Sequence, residues 1–496
     1  MALSGQTPLR IARVGGNYPV NAGAGDPLDL NAHNSPALAA NPVDPSEVVI
    51  ANRVDSPLFS CALHVSSDGG ATFSQTPIPV PAGEEAKCFA PDVVFDAAGT
   101  MYMSFVTLRG PGNVPHAVWL VTSDDGGRTL TPPRRVGGGL AFQVRLAAHP
   151  SVPRELYMTW LQASATATLA FPEPGNPILA ARTTDGGQAW SEPVQVNQPA
   201  RLRVVAPVPA ATRSGDLYVV FVDLKDDRLD YEGAHGGAGG PPYPGTWSLI
   251  AARGDASLSG FSEHVISDGI TPAERFIVFL PPFPALALAP DDERLYAAFT
   301  DGSSGDADVM LWSSSDGRAW AGPTRVNDTP PADGTAQYLP AIDALSDGRV
   351  DVVYYDRRAD RDLNEVSFQT SFDAGRSFSR RVRLSDEPFD PRVGFGAERG
   401  LPDLGSRLAV LSAPGGAMAV WTDTRAGTPE SKKQNLMRAF VSVVPPAPGL
   451  SPGAAVVARL AMALAALSGT GIVAYCVLRR LRLGPAALGS SQEGER

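Results

Sequence analysis

The chain has 496 residues, of which 19% are charged, and its formal net charge at pH 7 is −11. This acidic balance argues against a nucleic-acid partner, because binding to a phosphate backbone requires basic surface patches. The 50 glycines and 46 prolines favour a chain with many turns and few long helices.

The first predicted element is a strand within TPLRIARVGG, residues 7–16. Its sequence is similar to TPPRRVGGG at 131–139, which we interpret as the fourth strand of a repeated unit. No apolar run that would serve as a secretory signal precedes it.

From residue 36 onward the chain repeats one pattern seven times. Each unit opens with a proline and an apolar run, turns at Gly, Asp or Pro, and continues in a second strand such as LYMTWLQ. A third strand then leads into a turn of the pattern Ser/Thr-x-Asp-x-Gly-x-x-apolar, and a fourth strand follows. This repeated turn is clear at 66–73, 123–130, 183–190 and 371–378, with eroded copies within 249–267 and 307–328. The regular recurrence of this turn along the chain indicates a repeat architecture.

The seventh unit has no repeated turn and no fourth strand, whereas the N-terminal strand has no unit of its own. A ring of four-stranded sheets that takes its first strand into its last sheet leaves only short edges exposed. The sequence therefore predicts an all-β, seven-bladed β-propeller over residues 7–442 that is closed by the N-terminal strand. A six-bladed ring with an appended sheet is the alternative.

The repeated turn resembles the Asp-box, or BNR, repeat of sialidase-like β-propellers, and the resemblance covers most of residues 8–442. Such propellers include sialidases, other glycan-active enzymes and non-enzymatic proteins, so the resemblance implies the fold more strongly than the function. In this family, substrates bind at the central opening on the face opposite the repeated turns. The recurring Asp is accordingly interpreted as a structural residue that holds the turn closed.

Charged and aromatic residues that do not recur between units are the main candidates for function. Asp356 is an exception, because it recurs as Asp223, Asp301 and Asp423, and such recurrence favours a residue that closes its loop over a catalytic one. The resemblance to sialidases implies arginines for a sugar carboxylate, a Tyr nucleophile made reactive by a Glu, and an Asp acid/base. The candidates are Tyr355, Glu398 and Asp356 for catalysis and Arg357, Arg399 and Arg425 for substrate binding, with Tyr338 and Glu274 as alternatives.

Two functions are therefore predicted. The first is an exo-sialidase or related glycoside hydrolase that acts on terminal acidic sugars of glycans or glycoproteins. The alternative is a non-catalytic propeller that binds a glycan or a protein at the cell surface, and the lack of the family's Arg-Ile-Pro motif near the N-terminus keeps it open. The six histidines show no metal spacing, and no metal or cofactor is predicted.

The C-terminal part differs from the rest. A Pro-rich linker at 443–459 precedes LAMALAALSGTGIVAYCVL, residues 460–478, which is uncharged and long enough for a transmembrane helix. The basic tail, 479–496, is then cytoplasmic and the propeller lies outside the cell membrane; a buried core helix is the alternative. Because no signal is visible, either the natural start lies upstream, which we favour, or the protein is tail-anchored with its propeller in the cytoplasm.

The cysteines leave one further question open. Cys61 and Cys88 either form a disulfide, if the compartment is oxidising, or remain two buried thiols.

Overall fold

The computed structural model describes residues 10–21, 31–164, 175–227, 243–273, 283–291, 294–394 and 404–444. Within these residues, strands form seven four-stranded antiparallel sheets. They belong to one compact unit, Ile11–Val444.

Blades 1 to 3 are continuous in sequence and are named here from the inner to the outer strand. Blade 1 has β2 (His33–Ala40), β3 (Val48–Val54), β4 (Ser60–Ser66) and β5 (Ser74–Thr76). Blade 2 has β6 (Cys88–Phe95), β7 (Met101–Arg109), β8 (Val114–Ser123) and β9 (Arg134–Gly137). Blade 3 has β10 (Ala141–Ala148), β11 (Leu156–Gln162), β12 (Ile178–Thr183) and β13 (Val194–Gln195).

Blades 4 to 6 follow the same order. Blade 4 has β14 (Val204–Ala211), β15 (Leu217–Asp223), β16 (Trp247–Gly254) and β17 (Phe261–Ile270). Blade 5 has β18 (Ala285–Leu288), β19 (Leu295–Asp301), β20 (Asp308–Ser314) and β21 (Ala321–Arg325). Blade 6 has β22 (Gln337–Ala344), β23 (Val350–Asp356), β24 (Glu365–Ser371) and β25 (Val382–Arg383).

Blade 7 joins the two ends of the described chain. It contains β26 (Ala409–Ala413), β27 (Gly416–Asp423) and β28 (Asn435–Val444), and its outermost strand is β1 (Arg10–Pro19). Each inner strand packs against the inner strands of its two neighbours, and β2 packs against β26, so the sheets form a closed ring. The predicted seven-bladed propeller is confirmed, with β1 paired into the last sheet, and the six-bladed alternative is not what the described residues form.

The ring has two faces, because antiparallel strands alternate in direction. The turns from first to second and from third to fourth strand lie on one side, here called the repeated-turn face. The connections from second to third strand and from blade to blade lie on the other side, here called the loop face. The four predicted site residues that the structure describes, Tyr355, Asp356, Arg357 and Arg425, belong to the loop face.

A bulge near the loop-face end interrupts the inner strands of five blades. The ladder between first and second strand shifts register there in blades 1, 2, 3, 4 and 6. The residue at the shift has a left-handed backbone although none is glycine: Ser35, Ala90, Gln143, Ala206 and Leu339 have φ of 50° to 60°. In four of these blades the recurring proline follows directly, so the proline marks the bulge that redirects the inner strand beside the central opening.

The repeated turns connect neighbouring blades as well as strands. In the first, the Asp68 carboxylate accepts hydrogen bonds from the Thr72 N–H (2.8 Å) and hydroxyl (2.6 Å), and the Ser66 hydroxyl accepts the Gly70 N–H (2.9 Å). The hydrogen bonds from the Thr72 hydroxyl and N–H lower the pKa of Asp68 to about 2. The second glycine of the turn packs on the preceding blade: a Cβ at Gly187 would overlap Leu120. The repeated turn therefore packs each blade closely against its neighbour, and its Asp stabilises the turn, as expected of a structural residue.

Two further predictions concern covalent and membrane features. Cys61 of β4 and Cys88 of β6 form a disulfide with their Cα atoms 5.7 Å apart, so the first of the two alternatives holds. Among the described residues, no helix has the length and apolar character needed to cross a bilayer. The predicted span at 460–478, the tail at 479–496 and the linker from residue 445 onward lie outside the described residues.

Candidate functional site

Asp356, the predicted acid/base, ends β23 in blade 6 and is fully buried. One carboxylate oxygen accepts hydrogen bonds from Arg358 Nε (2.7 Å) and the Ser367 hydroxyl (2.7 Å). The other oxygen accepts from the Arg358 backbone N–H (3.0 Å) and from Gln337 Nε2 (3.2 Å). The carboxylate is thus committed to neighbours within blade 6, which fits a group that closes a loop.

Tyr355, the predicted nucleophile, points from β23 toward blade 7 and has no exposed surface. Its hydroxyl donates to the Thr422 carbonyl (3.0 Å) and accepts from the Thr422 N–H (3.1 Å), both on β27. Burial raises the pKa of this hydroxyl well above its ordinary value. Tyr355 in this conformation links blades 6 and 7 through two hydrogen bonds.

The two described arginines of the predicted substrate site are also engaged. Arg357 is buried, donates from Nε to Asn364 Oδ1 (3.1 Å), and lies 5.6 Å from the ring centre of Tyr338. Arg425 forms an ion pair with Asp423 (2.9 Å) and donates to Asn17 Oδ1 (3.0 Å), which fastens the closing strand β1. Burial opposes protonation of Arg425, but Asp423 outweighs it and the pKa of the guanidinium is raised.

The remaining predicted residues, Glu398 and Arg399, lie outside the described residues, as does Glu274. The structure therefore brings Tyr338, Tyr355 and Arg357 together at the junction of blades 6 and 7, with the Tyr338 and Tyr355 rings 5.6 Å apart. It places Arg425 on blade 7, facing Asp423 and β1.

A second group of charged residues lies at the centre of the ring, and sequence reasoning missed it. Arg407 precedes the inner strand of blade 7, and its Nε donates to the Ser35 (3.2 Å) and Pro36 (3.1 Å) carbonyls of blade 1. Its NH2 group reaches the Pro91 carbonyl of blade 2 at 2.6 Å. Arg407 therefore joins blade 7 to the inner strands of blades 1 and 2.

Arg145 and Asp92 continue this group on the next two blades. Arg145 Nε on β10 lies 3.1 Å from Asp92 Oδ2 on β6, and Arg407 NH2 lies 3.8 Å from Asp92 Oδ1. The Arg145 guanidinium also lies 5.9 Å from the ring centre of Phe283, which precedes the inner strand of blade 5. We call Arg145, Arg407 and Asp92 the central arginine cluster.

The central arginine cluster carries one more positive than negative charge. Burial lowers the pKa of Arg407 to about 9, and repulsion by Arg145 adds to this while attraction to Asp92 opposes it. Arg407 therefore still carries its charge at neutral pH. The Arg145 side chain is 19% exposed, and within the described part of the chain its NH1 and NH2 groups make no hydrogen bond. These donors are available to an anionic acceptor.

Polarity extends along the same inner strand. Gln143 lies at the bulge of β10, where its Oε1 accepts the Ala206 N–H of blade 4 at 2.7 Å. Its Nε2 is buried without a hydrogen-bond partner among the described residues. An unsatisfied buried donor is costly, so a ligand acceptor near β10 would gain from both Gln143 and Arg145.

Internal comparison of the inner strands would have identified this group. Arg145 faces Thr159 across the ladder, and Asp92 faces Ser104. The equivalent inner-strand positions of blades 1, 4, 5 and 6 are small and apolar: Ala37, Val208, Ala285 and Ala341. The signal is thus a charge that does not recur, on the first strands instead of the second.

The chemistry available at this centre is ionic recognition. Two guanidinium groups beside one carboxylate favour an oxyanion, and the planar fork of Arg145 matches a carboxylate with two parallel hydrogen bonds. In the part of the chain that the structure covers, no three His, Cys, Asp or Glu side chains are grouped closely enough to hold a metal ion.

Comparisons with known proteins give a fold-level likeness. The sequence matches no protein-family model, and no curated protein is similar to it. Among solved structures, a protein of unknown function from Dyadobacter fermentans is 13% identical with a TM-score of 0.48, covering 88% of this chain and 99% of that chain. A Hadza microbial sialidase is 12% identical with a TM-score of 0.44, covering 80% and 74%.

An α-L-arabinofuranosidase from Fusarium graminearum is 16% identical with a TM-score of 0.42, covering 75% of this chain and 98% of that chain. At such identities and scores, these likenesses bear on neither activity nor substrate.

Proposed function

We propose that this protein binds the acidic sugar of a glycan or glycoprotein through its central arginine cluster. The observation that carries the proposal is Arg145 on the inner strand of blade 3, whose side chain is partly exposed and whose NH1 and NH2 groups have no partner among the described residues. Arg407 supplies a second positive charge beside it. A sugar carboxylate placed against Arg145 would satisfy both groups and balance the excess charge.

Membrane tethering with the propeller outside the cell is the second part of the proposal. Its support is the uncharged segment 460–478 followed by Arg479, Arg480 and Arg482. The Cys61–Cys88 disulfide agrees with an oxidising, extracellular compartment. The propeller is then a cell-surface receptor for acidic glycans that resembles the Asp-box propellers.

Hydrolysis of a terminal sialic acid is a further candidate activity, for which Glu398, Arg399 and the tyrosines of blade 6 remain the proposed residues. The described contacts favour binding over catalysis. The Tyr355 hydroxyl is occupied by Thr422, and the Asp356 carboxylate is occupied by Arg358 and Ser367. Neither group is free to attack or to exchange a proton with a sugar in this conformation.

The test compares sialyllactose with lactose, using the full chain in detergent micelles and isothermal titration calorimetry. Sialyllactose is expected to bind more tightly than lactose, because lactose lacks the carboxylate. Arg145→Gln should weaken binding about ten- to a hundredfold, because a hydrogen-bonded pair with a charged group contributes about 1.5–3 kcal/mol. Arg145→Lys should restore only part of the affinity, since an ammonium lacks the planar fork.

The matched control is Arg376→Gln, an exposed arginine on the repeated-turn face, which should leave binding unchanged. Equal affinity for the two sugars, or full affinity in Arg145→Gln, would contradict the carboxylate site. A fluorogenic sialoside added to the same preparation separates the two activities: turnover supports the hydrolase, and binding without turnover supports the receptor.

A further inference from the structure

A polar cleft opens on the repeated-turn face between blades 2 and 3, on the side of the ring opposite the proposed acidic-sugar site. Its volume is about 690 Å³, within the range of small-ligand sites. Blade 2 contributes Tyr102, Thr122 and Arg134 to its lining, and blade 3 contributes Arg154 and Gln188.

One side chain of blade 2 that lines the cleft is smaller than its equivalents in blades 3 and 4. Thr122 faces Tyr102 across the ladder, and the equivalent pair in blade 3 is Arg182 with Tyr157. Arg182 fills the next junction, where it pairs with Glu155 at 2.9 Å and donates to a backbone carbonyl of blade 4.

Blade 4 gives an intermediate case. Its equivalent residue is Arg253, which faces Tyr218 and is held by Asp216 at 2.6 Å. The corresponding cleft between blades 4 and 5 has a volume of about 340 Å³. The larger space between blades 2 and 3 thus has a threonine at the position where blades 3 and 4 have an arginine.

The walls of the larger cleft provide donors from both blades. Arg134 is exposed and makes no hydrogen bond or ion pair within the described part of the chain. Arg154 has a left-handed backbone with φ of 65°, and its guanidinium is fixed by a hydrogen bond of 2.6 Å to the Asp185 carbonyl. A non-glycine residue in that conformation is strained, and such strain is concentrated at functional sites.

Acceptors lie between these donors, and the charges balance. Asp124 lines the cleft and accepts the Thr100 hydroxyl through Oδ1 at 2.9 Å, and the Thr122 and Thr131 hydroxyls lie 3.1 Å apart. Asp185 is the second carboxylate, and it already accepts the backbone N–H groups of its own turn. Two arginines and two aspartates give no net charge to attract an ion.

From this arrangement we infer that the cleft between blades 2 and 3 binds a neutral sugar unit of a glycan. Sugar hydroxyls each donate and accept, so they match a lining that contains guanidinium donors together with carboxylate and hydroxyl acceptors. Pro132 and Pro133 at the rim add an apolar surface for the C–H face of a sugar ring. The site is independent of the central arginine cluster, and the two would hold different parts of a glycan or different glycans.

The test uses the full chain in a detergent without a sugar headgroup, so that the detergent does not compete. Maltotriose, mannotriose and chitotriose are titrated separately by calorimetry, with saturation-transfer NMR to detect weak binding. At least one should bind, and Thr122→Arg, which gives blade 2 the side chain of blade 3, should raise its Kd about tenfold or more, a difference of about 1.4 kcal/mol.

Ser313→Arg is the matched control, because Ser313 faces Tyr296 at the equivalent position of blade 5; it should leave the Kd unchanged. Arg134→Ala, a surface change that leaves the fold intact, should weaken binding in the same direction as Thr122→Arg. The inference is overturned if none of the three sugars binds, if Thr122→Arg binds as the natural chain does, or if inorganic sulfate displaces the sugar. Each of these outcomes leaves the sialyllactose experiment unaffected, so the two proposals fail separately.

Discussion

Replacing Arg349 by methionine should destabilise the junction between blades 6 and 7 strongly and in a pH-dependent way. Arg349 and Asp351 are almost fully buried, with side-chain exposures of 3% and 0%. Arg349 Nε donates to Asp351 Oδ1 at 3.0 Å, and its NH1 and NH2 groups donate to the Ala413 and Gly416 carbonyls of blade 7 at 3.0 and 2.8 Å. The change therefore removes a buried cation that joins two blades.

The magnitude follows from the carboxylates that remain. Breaking a buried ion pair by removing one partner costs about 3–5 kcal/mol of unfolding free energy. Asp343 lies directly opposite Asp351 on the neighbouring strand, and burial, with a smaller contribution from Asp351, already raises its pKa to about 6.

Loss of Arg349 removes the positive charge that balances Asp351, so repulsion between Asp351 and Asp343 should raise the pKa of Asp343 in the folded protein further. A carboxyl whose pKa is raised by folding destabilises the folded state at pH values above that pKa, and the penalty fades as the pH falls through it. Arg349→Met should therefore lose more stability at about pH 7 than at about pH 5, by about 1.4 kcal/mol for each unit of added shift.

The measurement is urea unfolding of the full chain in detergent, followed by tryptophan fluorescence at both pH values. Arg376→Met, at an exposed arginine of blade 6, is the control and should change stability by less than about 0.5 kcal/mol. The double variant Arg349→Met with Asp351→Leu should recover most of the loss, since an apolar pair replaces a buried ion pair at little cost. An equal loss at both pH values, or a double variant no more stable than the single one, would refute the reasoning.

Two further predictions concern the repeated turns. Gly187→Ala should lower the free energy of unfolding by about 1–3 kcal/mol more than Gly69→Ala does, as measured by thermal or urea unfolding. Both glycines have positive φ, but only a Cβ at Gly187 meets a neighbouring blade. Equal losses would contradict the packing of the repeated turn against that blade. Asp68→Asn should be less stable than the natural chain above about pH 4, with the difference disappearing as the pH falls through about 2, since the ionised Asp68 carboxylate, whose folded pKa is about 2, supplies that stability. Acid titration of unfolding checks this, and a difference that is constant with pH would contradict it.

The fold was predictable because its signals recur. Each repeated turn needs an Asp to accept N–H groups and glycines to allow left-handed backbone and close packing, so the same letters return in every well-formed copy. The missing strand of blade 7 was predictable for the same reason, since β1 resembles β9 and its neighbours in sequence. Comparing the units with one another in sequence therefore predicts the number of blades.

The site was less predictable because side-chain direction at a strand end depends on the local twist and bulge. Tyr355 and Arg357 were placed on the loop face by their position in the chain, yet the structure turns Tyr355 into the junction with β27 and Arg357 onto Tyr338. Arg145 and Arg407 reach the centre only because the inner strands of separate blades meet there. The spacing of residues within one unit does not predict contacts between residues of blades 7 and 2, which are far apart in the sequence.

The closing strand β1 must wait during synthesis until its partner strand has been made. β1 is complete after residue 19, but β28, its only partner among the described strands, begins at residue 435. At about 5–20 residues per second, the ribosome needs roughly 20–80 s to supply that partner. During this interval β1 exposes unpaired backbone groups that invite pairing with other chains. Completion of the last blade therefore decides whether β1 is paired. In a truncated product β1 lacks β28 and keeps its backbone groups exposed, whereas a chain synthesised past blade 7 can pair them.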